Sequence, residues 1–159
     1  MSNQVLQEGQ PAPDIHLNDD QGNPFVLSGL KGKTVILFFY PKADTPGCTI
    51  EACEFRDSAT KFSAADTVIV GVSPDGSSAQ SAFKSKFDLP YALLADAEHK
   101  TAEDYGVWQP MTWDGKTFMA AARTTFLIGK DGVIRKIFSK VKPQGHAEEV
   151  YGALQSLET

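Results

Sequence analysis

Three observations predict an α/β fold with a mixed central sheet flanked by helices. Residues 34–40 (TVILFFY) and 67–72 (TVIVGV) are short, nearly continuous apolar runs, the pattern of strands covered on both faces. Between and after them come segments whose apolar residues recur at helical spacing. Late in the chain, two β-prone runs flank Gly-Lys-Asp-Gly, a hairpin signal.

Taken in order, residues 1–13 read as an arm ending in Pro-Ala-Pro. Residues 14–28 (DIHLNDDQGNPFVLS) hold two β-prone runs around an Asp/Gly/Asn turn and predict an N-terminal β-hairpin. The strand at 34–40 is stopped by Pro41. A helix follows to about Ala64, with Ala52, Phe55, Ala59 and Phe62 as its core stripe. The second strand ends at Ser-Pro-Asp-Gly, and the next helix, SSAQSAFKSKFD, takes Ser77 or Ser78 as its cap. Residues 89–95 (LPYALLA) predict a short strand and 98–105 a helix that Gly106 stops. Residues 124–128 and 133–138 form the late hairpin, and GHAEEVYGALQSLE is a closing amphipathic helix. A β-α-β start with late antiparallel strands is the thioredoxin-like arrangement, which by itself assigns no chemistry.

The 159 residues fit a single domain spanning 1–159. A chain of that length buries roughly 70% of its unfolded surface and needs neither disulfide nor metal to form a core. The net charge is −5 and the basic residues are scattered, so neither nucleic acid nor an anionic membrane is an expected partner. No run is long enough to span a bilayer. The first residues lack the basic head and apolar stretch of a secretory signal, which points to the cytoplasm. In a reducing compartment, two cysteines suggest catalysis or sensing rather than stapling.

Those cysteines, Cys48 and Cys53, share the stretch YPKADTPGCTIEACEF. Thr45 suits an N-cap and Pro46 the first helical position, which puts Cys48 in the first turn. Unpaired N–H groups and the helix dipole there favour the thiolate. An ordinary thiol of pKa ~8.5 is only ~3% ionised at neutral pH, against ~90% for one of pKa ~6. That gain of roughly 30-fold is too small to make an enzyme unaided. Five helical residues separate the two Cα atoms by ~8.6 Å and rotate the side chains by ~140°, whereas a disulfide needs Cα atoms within ~7 Å. The two thiols cannot bond while the helix is intact. If they bond, its first turn or two must melt, so the spacing predicts a switch. Two unrelated packed cysteines are the alternative. The histidines, His16, His99 and His146, stand far from both with no ligand spacing, so no metal and no cofactor are expected.

The run from Pro41 through Thr45 to Cys48 matches PxxxTxxC, the peroxiredoxin signature. Its extension from Thr49 through Glu51, Ala52 and Cys53 to Asp57 resembles the Q-type peroxiredoxins, or bacterioferritin comigratory proteins. The resemblance runs from GQPAPDI to the Arg123-Thr-Thr-Phe-Leu-Ile segment. It implies a thiol peroxidase reducing hydrogen peroxide and organic hydroperoxides. Cys48 would be the peroxidatic cysteine, oxidised to a sulfenic acid. Thr45 and the Gly47 region of the helix start would hold the peroxide oxygens, Arg123 would stabilise the charge moving along the O–O bond, and Pro41 would wall the pocket. Cys53 would resolve the sulfenic acid as an intramolecular Cys48–Cys53 disulfide, recycled by thioredoxin or a similar dithiol. Some relatives keep the resolving cysteine in the following helix, near Phe83 and Lys84 here; this chain has none there. Relatives of this type are often monomeric. A thiol–disulfide oxidoreductase or redox-sensing module on the same fold is the competing class, disfavoured by the absence of CxxC.

The other side chains carry plainer expectations. Arg123 taken without the resemblance is a surface cation. Glu51 is a first-turn acid complementing the dipole, and His146 is structural. Trp108, Met111, Trp113 and Phe118 form an apolar cluster in a loop that serves as core, docking patch or substrate mouth.

Overall fold

The structure, a computed structural model, describes residues 6–157. Its seven-stranded sheet has the order β2-β1-β5-β4-β3-β8-β9. The predicted first hairpin is β1 (His16–Asp19) and β2 (Pro24–Val26), followed by one short 3-10 turn, Leu27–Leu30. The two apolar runs are β3 (Thr34–Phe39) and β4 (Thr67–Ser73), paired in parallel at the sheet centre. Both are interior strands with neighbours on either side, which is why they tolerate hydrophobic residues on both faces. β5 (Ala92–Ala95) pairs parallel to β4 and is shorter than the apolar run around it. β8 (Thr124–Ile128) runs antiparallel to β3 and carries β9 (Ile134–Phe138) at the edge. Residues of the N-terminal arm are not free: Gly9 and Ala12 donate to Ile134 and Gly132 carbonyls. The first part of that predicted arm, residues 1–5, lies outside the described residues.

The side-chain alternation of β3 divides the core. Ile36, Phe38 and Tyr40 point to the face covered by α1 (Pro46–Ala64), α2 (Ser77–Phe87) and α4 (His146–Leu157). Val35, Leu37 and Phe39 point to the other face, with Ala102 of α3 (Lys100–Asp104) and the neighbouring Tyr105. Ala52, Phe55 and Phe62 of the predicted α1 stripe are buried and Ala59 packs at its margin. On β4, a Cβ at Gly71 would come within 2.9 Å of Phe38 and 3.1 Å of Tyr40, so the missing side chain makes room for two rings under the start of α1.

Three local expectations are revised. α2 is preceded by Gly76, and Ser77 is its first residue rather than its cap. The predicted helix at 98–105 shortens to five residues because His99 adopts a left-handed φ of 52° and the Asp96 carboxylate takes the Thr101 and Ala102 amides. The stretch after Gly106, read as a loop, is a separate hairpin of β6 (Trp108–Trp113) and β7 (Lys116–Ala121). Asp114 and Gly115 turn it with positive φ at both positions, the requirement of a type I′ turn. Met111, Phe118 and Met119 stand exposed on it, while Trp108 stacks on His99 with ring centroids 4.1 Å apart. The side chain of Trp113 lies outside the described residues.

Candidate active site

The site forms where β3 ends, α1 begins and β8 begins. β3 delivers Tyr40 and half-buried Pro41 to the edge of the sheet. The chain then loops through Asp44, whose φ is 61°, into α1. The loop is tied down from α2 and its approach: Asp75 accepts from the Ala43 amide (2.7 Å) and Lys86 pairs with Asp44 (3.0 Å).

Thr45 is the N-cap by position, and its carbonyl takes the first helical bond, from Thr49 N (2.8 Å). Its side chain does not cap. The hydroxyl donates instead to the Lys42 carbonyl (2.8 Å), which leaves its lone pairs as acceptors. The Gly47 and Cys48 amides precede the first helical bond, so they are donors with no acceptor inside the helix. Cys48 is 1% exposed and unbonded; Cys53 is free and half-buried.

Arg123 reaches this helix start from the residue before β8. It is not a surface cation, since its side chain is only 18% exposed and pairs with Glu51 Oε1 at 3.0 Å. A Cβ on Gly47 would sit 3.0 Å from an Arg123 guanidinium nitrogen, so glycine there is what lets the cation come close to the helix start. Burial works against the Arg123 charge, but Cys48 and Glu51 together outweigh it and raise its pKa. Pro41, Thr45, Gly47, Cys48 and Arg123 are thus gathered around one helix start, and Cys53 stands one and a half turns away.

Glu51 was expected as a first-turn acid complementing the dipole; α1 begins at Pro46 and has no acid in its first turn, and Glu51 lies beyond it, fully buried. Burial pushes its carboxyl up to about 7, with Arg123 pulling the other way. Its Oε2 has no hydrogen-bond partner among the described residues and faces His146 Nε2 at 4.0 Å. His146 is buried too. Nε2 meets the Thr125 hydroxyl (2.7 Å) and Nδ1 meets Glu149 (2.9 Å), while burial holds its pKa below the usual histidine value. The 72-residue separation of Glu51 from Arg123 hid this pair from sequence reasoning. Among the described residues no three His, Cys, Asp or Glu side chains gather to hold a metal.

A thiol in the first turn of a helix, beside a guanidinium and two amides that have no acceptor inside the helix, can attack an electrophile and stabilise the anion that leaves. Comparison with known proteins agrees. Residues 8–137 match the AhpC/TSA family model, and the chain belongs to that family. It is 48% identical over 153 residues to Peroxiredoxin Bcp of Bacillus subtilis, covering 96% of each chain. It is 40% identical to the chloroplastic Peroxiredoxin Q of Suaeda salsa, covering 96% of this chain and 69% of that protein. Among solved structures it superposes on peroxidoxin BcpB of Mycobacterium tuberculosis with a TM-score of 0.86 at 36% identity, covering 97% and 99% of the two chains. The bacterioferritin comigratory protein of Xanthomonas campestris, studied for its alkyl peroxide reduction activity, superposes with a TM-score of 0.89 at 28% identity, covering 96% and 100%. The resemblance carried by TPGCTIEACEFRD is borne out, and with it the thioredoxin-like fold of a peroxiredoxin.

Proposed function

We propose that the chain is a thiol-dependent peroxidase in which Cys48 reduces hydrogen peroxide and organic hydroperoxides. The observation that carries this reading is the burial of the Cys48 sulfur in the first turn of α1, under Arg123 and beside a glycine that admits it. The Cys48 thiolate attacks the hydrogen-bearing peroxide oxygen. An S–O bond forms, the O–O bond breaks, and two electrons leave sulfur for the departing alkoxide, which takes a proton to become alcohol or water. Thr45 Oγ1 accepts the peroxide O–H, the Gly47 and Cys48 amides and Arg123 hold the oxygens as charge develops, and Pro41 limits water at the edge.

Cys53 then attacks the Cys48 sulfenic acid, releasing water and closing an intramolecular disulfide. Thioredoxin or a similar dithiol reopens it by exchange. Because one and a half helical turns separate the thiols, the start of α1 unwinds for this step. The protein acts as a single-domain monomer in the cytoplasm, where a dithiol reductant is at hand. No helix among the described residues is long and apolar enough to cross a membrane.

One equivalent of hydrogen peroxide should lower the intact mass by two hydrogens, block both thiols to alkylation, and be reversed by reduced thioredoxin. Thiols that stay alkylatable while peroxide persists would overturn the reading.

A further inference from the structure

The mechanism above leaves Glu51, the ion-pair partner of Arg123, without a task. It is fully buried, and one oxygen is used on Arg123 while the other finds no partner among the described residues. The group facing that other oxygen is His146 Nε2. Nδ1 of His146 lies against the Glu149 carboxylate, which only accepts, so Nδ1 carries the ring proton of the neutral imidazole. Nε2 then presents a lone pair, which the Thr125 hydroxyl approaches. With Nε2 engaged by Thr125 and carrying no proton, a bare Glu51 oxygen 4.0 Å away finds no donor among the described residues, and a proton on that oxygen removes the uncompensated charge.

Building on the peroxidase reading, we propose that Glu51 stores a proton while Cys48 is a thiolate and releases it when Cys48 becomes a sulfenic acid, acting through their shared Arg123. The charge balance is the reason. Two acidic groups, Cys48 and Glu51, compete for one guanidinium. While the thiolate holds it, Glu51 stays neutral, and Arg123 with Cys48 sums to zero. Once attack moves the negative charge onto the departing alkoxide, Arg123 faces Glu51 alone and favours its ionised form. Glu51 gives up its proton to solvent as it ionises, and this offsets the one that the alkoxide takes from water at the pocket mouth. The protein gains no net proton, and the dry core never holds an unpaired charge. The charged and titratable groups facing Glu51 are Arg123 before β8, His146 of α4 and Glu54 of its own helix, with Cys48 on the shared Arg123 and Tyr91 before β5 within electrostatic reach. Glu51 touches no reacting atom and is a positioning residue. Its raised pKa, near 7, is consistent with the role.

The test is proton stoichiometry in Cys53→Ser, which stops at the sulfenic acid. Thiolate absorbance at neutral pH and slightly below gives the fraction of Cys48 ionised beforehand. A pH-indicator dye in weak buffer then reports protons taken up per sulfenic acid formed by one equivalent of hydrogen peroxide. Without a store, uptake equals the thiolate fraction. With Glu51 present, uptake should fall below it, and Glu51→Gln in the same background should restore equality. Uptake equal to the thiolate fraction with Glu51 in place overturns the proposal even if the glutamine variant does not fold. A deficit that persists in the variant overturns it as well. If no sulfenic acid forms at all, the peroxidase reading itself falls.

Discussion

Cys48 and Cys53 lie on one helix, yet the fold treats them differently. Cys48 sits in the first turn, closed off from solvent, with Gly47 and Arg123 packed about it. Cys53 is half-buried one and a half turns on, near Arg56, whose guanidinium donates to the Phe87 carbonyl (2.8 Å). Around the first thiol, the structure supplies donors and a cation for a transition state. Around the second, it supplies anchors. Tyr91 donates its hydroxyl to the Ala52 carbonyl (2.6 Å), between the two cysteines, and Glu54 accepts the Gly145 amide (2.9 Å). On the proposed function, the difference assigns attack to the folded helix and resolution to its opening. If the helix opens as proposed, the anchors at 52, 54 and 56 confine the opening to residues 46–51.

The comparison breaks most severely with the thiols themselves. Cys48→Ser should abolish peroxide turnover outright. Cys53→Ser should react once, resist recycling by thioredoxin and over-oxidise to sulfinic acid on excess peroxide. Steady-state NADPH-coupled assays and intact mass check both. Arg123→Ala should lower kcat/KM for peroxide by ~10²–10³-fold, the usual cost of losing one preorganised donor to developing charge. A smaller loss would move the catalytic weight to the backbone amides.

Stability sharpens the same contrast. Glu51 carries a folded pKa of about 7 against an ordinary 4.5, a raised value, so the folded state binds more protons between them. Its contribution is therefore fully present below 4.5 and is lost as pH rises through about 7. Measured by urea unfolding, wild type should lose about 2.5 kcal/mol relative to Glu51→Gln between pH 5 and pH 8. A constant gap would show that Glu51 does not titrate there. Smallest is Tyr91→Phe, which removes one buried hydrogen bond worth about 1 kcal/mol. It should speed disulfide closure after peroxide by up to ~5-fold if the Ala52 anchor resists opening, as stopped-flow tryptophan fluorescence would follow.

The strand–loop–helix that carries Cys48 was legible because each part has a local signal: an apolar run, a proline stop, a Thr-Pro-Gly entry, a stripe at helical spacing. Cys53 and its geometric conflict with Cys48 followed from helix dimensions alone. The Glu51–Arg123–His146 cluster was not legible, since three elements far apart in sequence meet there and a glutamate on a helix reads as exposed. Arg123 was singled out only through the family resemblance. The β6–β7 hairpin escaped because neither strand shows the buried–exposed alternation that marks a sheet; its one signal was Asp114-Gly115, a favoured hairpin turn. Thr45 was placed correctly at the helix entry, but its hydroxyl serves the preceding loop rather than the cap.

Amide hydrogen exchange along α1, compared between the reduced protein and protein verified by mass to hold the Cys48–Cys53 disulfide, tests the central claim most directly. Oxidation should strip protection from the start of the helix, with the turns beyond Ala52 retaining most of theirs. Equal protection at the helix start in both forms would contradict the claim that the helix must open for the two sulfurs to meet.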